Sequence, residues 1–354
     1  MTSPINENSL HTTRKASIQS ETLTQVIKTE TAESARAKPN NNKIRKKLIQ
    51  LETTNFRPLM TIPSQQLEVW SHIGAITASK TTYHSIRKCV ENHTFPEGVK
   101  YDIYLQGSYG NSTNIRGDSD VDVVTELTSS FKPKTSALND DERTIFSKKY
   151  EDSTYFLLAF KKEVVTSLKN YYDENKISIG NKAIKLEGYS GRLNADIIIA
   201  IKYRYFWHVY EKQNDSYAEG IAFQDKNGVW IHSYPKIHYE NGVKKMSLTN
   251  NHYKPLVRIY KNIRGKLEDD FSIPDKFLSS YFIESLLYNV PNQYFSGSIS
   301  DVFFKSLKWL NGADLSNFKC QHELFNLFGS SEGQCSISDA KTFISNIVKL
   351  WNSW

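Results

Sequence analysis

Three carboxylates stand at alternate positions in the segment 117–124. Successive side chains of an extended strand point to opposite faces, so Asp118, Asp120 and Asp122 would share one face. Like charges this close repel each other unless a hard cation compensates them, and carboxylate oxygens are ligands that magnesium shares with nucleotide phosphates. The segment therefore predicts a divalent metal site.

A small-residue turn, Gly107-Ser108, precedes these carboxylates at the end of a predicted strand over 99–107. Glycine lets the backbone approach a phosphate closely, and serine offers a hydroxyl and an amide as hydrogen-bond donors. The sequence thus places a triphosphate-binding turn directly before a metal site.

The elements that must position these residues fall into two halves. The first half combines a long amphipathic helix over 64–92 with alternating strand patterns, which is typical of a mixed α/β core. The second half shows only helical patterns. A connecting region is predicted at 234–251, where Pro235 and two Asn-rich turns cluster. We therefore predict an α+β protein with a core over 56–250 and a helical domain over 251–354.

The spacing of these motifs resembles the nucleotidyltransferase superfamily that includes DNA polymerase beta. That superfamily has Gly-Ser, a gap of about ten residues, then two aspartates alternating with hydrophobic residues. Here Gly107-Ser108 is followed by Asp120-Val-Asp-Val123. The resemblance implies that Asp120 and Asp122 are the metal pair, and it leaves Asp118 in a loop.

The superfamily also has a third carboxylate on a later strand. Asp196 fits best, because it is a lone acid in the apolar stretch 193–200 and a buried acid needs a compensating partner. That partner is either the metal site or a basic side chain such as Lys202. Glu187 is the second candidate for the third carboxylate.

The chain beyond about residue 60 looks like the CD-NTases of bacterial anti-phage signalling, relatives of cyclic GMP-AMP synthase and oligoadenylate synthetase. The likeness includes the segments 253–264 and 279–285. In that family a lysine and a serine hold the donor triphosphate and a tyrosine stacks on a base. The resemblance assigns these roles to Lys261, Ser280 and Tyr281, and the residue types suit them.

The implied fold is a polymerase beta-like core with a mixed sheet, a long N-terminal helix and an all-helical C-terminal substrate-binding domain. The implied enzyme joins nucleoside triphosphates, ATP, GTP or others, into a cyclic di- or trinucleotide with release of pyrophosphate. Asp120, Asp122 and Asp196 would bind two Mg²⁺ or Mn²⁺ ions. An effector would bind the product, and a regulatory protein partner is expected. A transferase that makes linear oligonucleotides or extends RNA, and an inactive nucleotide-binding module, remain alternatives.

Composition narrows the class of protein. The net charge is +7, but residues 1–50 alone hold nine Lys and Arg against four Glu. We predict that residues 1–55 form a disordered basic extension, and the weak charge elsewhere disfavours a long RNA substrate. No stretch approaches the roughly 18 apolar residues of a membrane helix, and the N-terminus lacks the pattern of a secretion signal. Three cysteines predict free thiols in a bacterial cytoplasmic protein without membrane contact.

Overall fold

A computed structural model describes residues 61–117, 119–270, 272–275, 277–329 and 334–354. The predicted basic extension over 1–55 and Asp118 lie outside the described residues. Within these ranges, every helix is too short or too polar to cross a lipid bilayer.

The first half of the described chain alternates helices with strands, as the hydrophobic periodicities predict. In chain order its elements are α1 (Ser64–Ser71), α2 (Thr77–Glu91), β1 (Tyr101–Leu105), α3 (Gly107–Asn111), β2 (Val121–Lys134), α4 (Asp140–Lys149), α5 (Leu157–Tyr171), β3 (Ile177–Ile179), β4 (Ile184–Leu186), β5 (Ala195–His208), β6 (Ser216–Gln224) and β7 (Trp230–Ser233).

These strands form one mixed sheet in the order β1-β2-β5-β4-β3, while β6 pairs with β5 and β7 with β6. β2 and β5 run parallel, and the other pairs are antiparallel. Val121 and Val123 point to the face that packs on Phe160 of α5 and Ile86 of α2. Because side chains alternate along a strand, the residues between them point to the opposite face.

The second half is helical and has its own hydrophobic core. Its helices are α6 (Pro235–Leu248), α7 (Tyr253–Asp269), α8 (Ser280–Tyr288), α9 (Ile299–Gly312) and α10 (Ile337–Ser353). Tyr260, Phe282, Phe303 and Phe343 are almost completely buried in this core. The predicted α+β class, with a mixed sheet followed by a helical C-terminal domain, is confirmed.

The predicted single helix over 64–92 is wrong, because the chain breaks between α1 and α2. Gly74 lies in the break and exchanges hydrogen bonds with Asn114 at 3.0 and 3.1 Å. A Cβ at Gly74 would come within 2.9 Å of the Arg116 backbone, so only glycine allows this approach. The break sends Leu67 of α1 into the helical core and Ile86 of α2 onto the sheet.

The predicted connecting region at 234–251 is also wrong, because most of it forms α6. Pro235 occupies the first turn of the helix, where its missing N–H costs no hydrogen bond. Gly242 lies inside the helix, and a Cβ there would meet Gln321 Nε2 at 2.5 Å. Glycine here serves close packing and does not mark a turn. The division at residue 250 into a core and a helical domain stays a prediction.

Candidate active site

Two of the predicted aspartates are direct neighbours across the centre of the sheet. Asp122 is the second residue of β2 and pairs in register with Asp196, the second residue of β5. The Val121 amide donates to the Asn194 carbonyl oxygen at 2.9 Å, which fixes this register where both strands begin. Asp120 directly precedes β2 and is exposed. The fold therefore brings together Asp122 and Asp196, which lie 74 positions apart in the sequence, with Asp120 two residues before Asp122.

The negative charges of these aspartates repel one another. Burial, with added repulsion from Asp196 and Asp120, raises the pKa of Asp122 to about 6. Lys202, the basic side chain that might have compensated Asp196, forms an ion pair with Glu219 at 3.3 Å instead. Negative charge is consequently concentrated where the central strands β2 and β5 begin.

Gly107 places the predicted triphosphate-binding turn against the Asp122 carboxylate. Its φ of +63° is in the left-handed region, and a Cβ there would lie 2.1 Å from Asp122 Oδ2. The Gln106 amide donates to the Asp122 carbonyl oxygen at 2.9 Å. Only glycine satisfies both the backbone conformation and the close approach, so α3 begins in contact with the aspartates.

The residue types at the start of β2 and β5 fit a divalent cation. Carboxylate oxygens are hard ligands, and a cation among them would remove the repulsion that raises the Asp122 pKa. Among the described residues, no three His, Cys, Asp or Glu side chains are close enough to form a metal-ligand group by themselves. Glu187, the second candidate, is exposed and pairs with Lys176 at 2.7 Å, away from Asp122.

A broad cleft of about 2410 Å³ lies next to Gly107, although none of the three aspartates lines it. Gly107 and Ser108 line it from the sheet side, and Ser280 and Tyr281 line it from the helical domain. Ligand pockets for a single small molecule commonly occupy 300–1,000 Å³, so this cleft has room for two nucleotides. The predicted turn, serine and tyrosine therefore meet around one space.

Tyr281 presents one face of its ring to the cleft. The side chain is 40% exposed. Its other face stacks on His238 of α6 with 5.2 Å between ring centroids and 26° between planes. Ser279 caps α8 by accepting a hydrogen bond from the Phe282 amide at 3.1 Å, which fixes the start of the helix beneath Ser280 and Tyr281. A supported, exposed aromatic ring can accept a nucleobase.

Lys261 lies elsewhere than the predicted contact with a triphosphate requires. It is 4% exposed, does not line the cleft, and donates from Nζ to the Thr113 carbonyl oxygen at 2.7 Å. Burial lowers the pKa of Lys261 to about 8. Lys254, two turns earlier on α7, lies over the Tyr239 ring with 5.4 Å between its Nζ and the ring centroid, and it does not line the cleft either. Lys261 therefore holds the loop behind the site.

The sequence analysis missed two residues at the boundary between the domains, Glu284 and His238. Glu284 is 3% exposed and accepts hydrogen bonds from three side chains, one of which is His238. The signal was present, because Glu284 is a lone acid in the apolar stretch 281–287 and a buried acid needs partners. The same argument had been applied to Asp196.

Comparison with known proteins agrees with this geometry. Residues 240–352 match the family described as the cGAS/DncV-like nucleotidyltransferase C-terminal helical domain. The chain is 41% identical over 296 residues to the cyclic UMP-AMP synthase of Rhodothermus marinus, covering 83% of this chain and 99% of the relative. It is also 41% identical over 307 residues to the cyclic nucleotide synthase CdnE01 of Staphylococcus haemolyticus, with 83% and 100% covered.

Solved structures give the same result. The R. marinus CdnE c-UMP-AMP synthase with Apcpp and Upnpp superposes with a TM-score of 0.76 at 41% identity, covering 83% of this chain and 97% of that one. The Elizabethkingia meningoseptica CdnE cyclic dinucleotide synthase with GTP and Apcpp has a TM-score of 0.65 at 29% identity, covering 82% and 98%. The chain belongs to the CD-NTase family of cGAS/DncV-like nucleotidyltransferases and is a cyclic nucleotide synthase.

Proposed function

We propose that this enzyme joins two nucleoside triphosphates into a cyclic dinucleotide, releasing one pyrophosphate for each phosphodiester bond formed. The pairing of Asp122 with Asp196 carries the proposal, because it sets two carboxylates side by side next to Gly107. A cleft of about 2410 Å³ leaves room for both nucleotides. Ring closure needs a second transfer in the same cleft after the linear intermediate has turned over.

Asp120, Asp122 and Asp196 are the residues we assign to metal binding. Members of this family generally use divalent metal ions, and we propose two Mg²⁺ or Mn²⁺ ions here. When bound, the ions supply charge neutralisation for the departing pyrophosphate and activation of the acceptor ribose hydroxyl. The register of β2 and β5 fixes the positions of Asp122 and Asp196, which thereby orient the reacting groups.

The remaining contacts hold the two substrates. We assign the amides and hydroxyl of Gly107-Ser108 and the hydroxyl of Ser280 as hydrogen-bond donors to the donor triphosphate. Tyr281 stacks on a base. Lys261 acts from behind the site, through its hydrogen bond to the Thr113 carbonyl oxygen.

UTP and ATP are the substrates we expect. A relative that is 41% identical over 83% of this chain is a cyclic UMP-AMP synthase, and its structure contains one adenosine and one uridine triphosphate analogue. We place the reaction in bacterial anti-phage signalling in the cytoplasm. A product-binding effector and a regulatory protein partner remain predictions from the family resemblance.

The test is incubation of the purified protein with each radiolabelled nucleoside triphosphate, the other three present, in Mg²⁺ or Mn²⁺. Products are treated with phosphatase and separated, and their mass gives ring size and bases. The Asp120→Ala/Asp122→Ala double variant is the control. A phosphatase-resistant product that contains uridine and adenosine, and is lost in the double variant, would support the proposal.

Other products would favour the alternatives. Linear chains whose ends react with phosphatase would indicate an oligonucleotide- or RNA-extending transferase. A protein that binds triphosphates in equilibrium dialysis but releases no pyrophosphate would be an inactive nucleotide-binding module.

A further inference from the structure

The carboxylate of Glu284 ties the helical domain to the turn that follows α3. Its Oε1 accepts from Thr113 Oγ1 at 2.6 Å, and its Oε2 accepts from Asn111 Nδ2 at 2.9 Å. Asn111 is the last residue of α3, and the Thr113 amide donates to the Ser108 carbonyl oxygen at 2.9 Å. Glu284 therefore fixes the short helix that starts at Gly107-Ser108.

The same carboxylate also fixes the support of Tyr281. Glu284 Oε2 accepts from His238 Nε2 at 2.7 Å, and the imidazole stacks on the Tyr281 ring. His238 Nδ1 is buried and has no hydrogen-bond partner within the described residues. The bond to Glu284 is thus the polar contact that sets the orientation of this ring.

Two further hydrogen bonds hold the backbone of His238 and Glu284. Gln321 Nε2 donates to the His238 carbonyl oxygen at 2.6 Å, and the Tyr253 hydroxyl donates to the Glu284 carbonyl oxygen at 2.8 Å. A buried network with several satisfied members is rigid, because each bond restrains the next. Misplacement of reacting groups by about 1 Å can cost about a hundredfold in rate.

We propose that Glu284 is a positioning residue that sets the base-stacking ring of Tyr281, through His238, at a fixed distance from the Gly107-Ser108 turn, through Thr113 and Asn111. This inference rests on the proposed function, since it assumes that a base lies on Tyr281 and a triphosphate on the turn. The Glu284 carboxylate is almost completely buried and already accepts three hydrogen bonds, so its role is to align the two ends of one nucleotide.

Two conservative variants test the coupling. Glu284→Gln keeps the shape but removes the charge, and His238→Phe keeps a ring beneath Tyr281 but removes the bond to Glu284. The Kd is measured for one non-hydrolysable analogue of ATP and one of UTP. Each variant is expected to raise the Kd of the analogue that stacks on Tyr281 by about tenfold, and to raise the KM of the matching triphosphate similarly. The other substrate should change by less than about threefold.

The decisive measurement is the combination with Tyr281→Ala. If His238 acts through the Tyr281 ring, the His238→Phe/Tyr281→Ala double variant binds the analogue no more weakly than Tyr281→Ala alone. Glu284→Gln, which also disturbs the Gly107-Ser108 turn, should still weaken binding in the Tyr281→Ala background. Tyr260→Phe, a buried hydroxyl deletion in the core of the same domain, is the control for simple loss of stability. Circular dichroism and thermal unfolding show that each variant is folded before binding is measured.

Several results would overturn the inference. Wild-type Kd values in Glu284→Gln and His238→Phe would do so, as would effects of His238→Phe and Tyr281→Ala that simply multiply. A wild-type protein that binds the analogues but makes no cyclic product would refute the proposed function alone, because binding still measures the coupling. A wild-type protein that binds no triphosphate analogue would refute both.

Discussion

The start of β2 and the middle of α8 each hold a carboxylate whose charge is disfavoured by burial, with opposite outcomes for its pKa. Burial and like charges raise the pKa of Asp122, whereas His238, Thr113 and Lys261 hold the pKa of Glu284 below its usual value despite its burial. Glu284 already has its partners within the protein. Asp122 has no comparable hydrogen bond or ion pair among the described residues, which is what we expect of the metal ligand proposed above.

The largest expected effect is on catalysis at the unsatisfied carboxylate. Asp122→Asn keeps the size of the side chain but removes the charge, so we expect product formation to fall on the order of a thousandfold. Turnover is measured from pyrophosphate release at saturating triphosphates. Asp141→Asn, at an exposed site in the first turn of α4, is the matched control and should keep wild-type turnover. Retention of a tenth of the activity in Asp122→Asn would contradict the comparison.

The second effect is on stability at the satisfied carboxylate. Glu284→Ala leaves the donors His238 Nε2, Thr113 Oγ1 and Asn111 Nδ2 without their acceptor and should lower the free energy of unfolding by about 3 kcal/mol. Because the folded pKa is depressed, this stability is present at neutral pH and is lost only as the pH falls through that lowered pKa. Urea denaturation at pH 7.5 and at pH 4 measures both. A loss as small as that of a surface substitution would show that the network adds little.

The third effect is a gain in stability, opposite to the loss expected for Glu284→Ala. Asp122→Asn should make the metal-free protein more stable at pH 7.5 by about 2 kcal/mol, since the folded state no longer holds a strained charge. The stabilising protonation of Asp122 is complete below about pH 3.8 and lost as the pH rises through about 6, so the advantage of the variant should shrink between pH 7 and pH 5. Thermal unfolding in EDTA tests this. Equal melting temperatures at every pH would show that Asp122 is not strained.

The smallest effect concerns the ring that Glu284 supports. Tyr281→Ala should raise the KM of one triphosphate about tenfold, because stacking contributes about 1–3 kcal/mol per base. Tyr281→Phe keeps the ring and should leave that KM nearly unchanged. Tyr171, 41% exposed on α5 against 40% for Tyr281, gives the control variant Tyr171→Ala. Equal KM changes for both triphosphates would argue against a single stacking site.

Much of the fold was predictable, since the two halves differ in their local hydrophobic period. The alternation around Asp122 predicted β2, and the helical spacing predicted α7 to α10. The break at Gly74 was not predictable, because it depends on the backbone of Asn114 and Arg116. Periodicity continues through such a break when both sides remain amphipathic.

The amino-acid sequence by itself determined the chemistry that is available: the Gly107-Ser108 turn, the alternating Asp120 and Asp122, and a lone acid at 196. These are short-range patterns, set by side-chain alternation and by backbone that only glycine can adopt. Their roles stay predictions until turnover is measured.

The tertiary structure alone decided which distant residues face one another. Asp196 meets Asp122, and Glu187 does not, because the parallel register of β2 and β5 fixes that pairing across the sheet. Lys261 was buried and Glu284 became a shared acceptor when α7 and α8 packed on the turn after α3. Such contacts depend on loop closure and packing over long sequence separations, which no local pattern encodes.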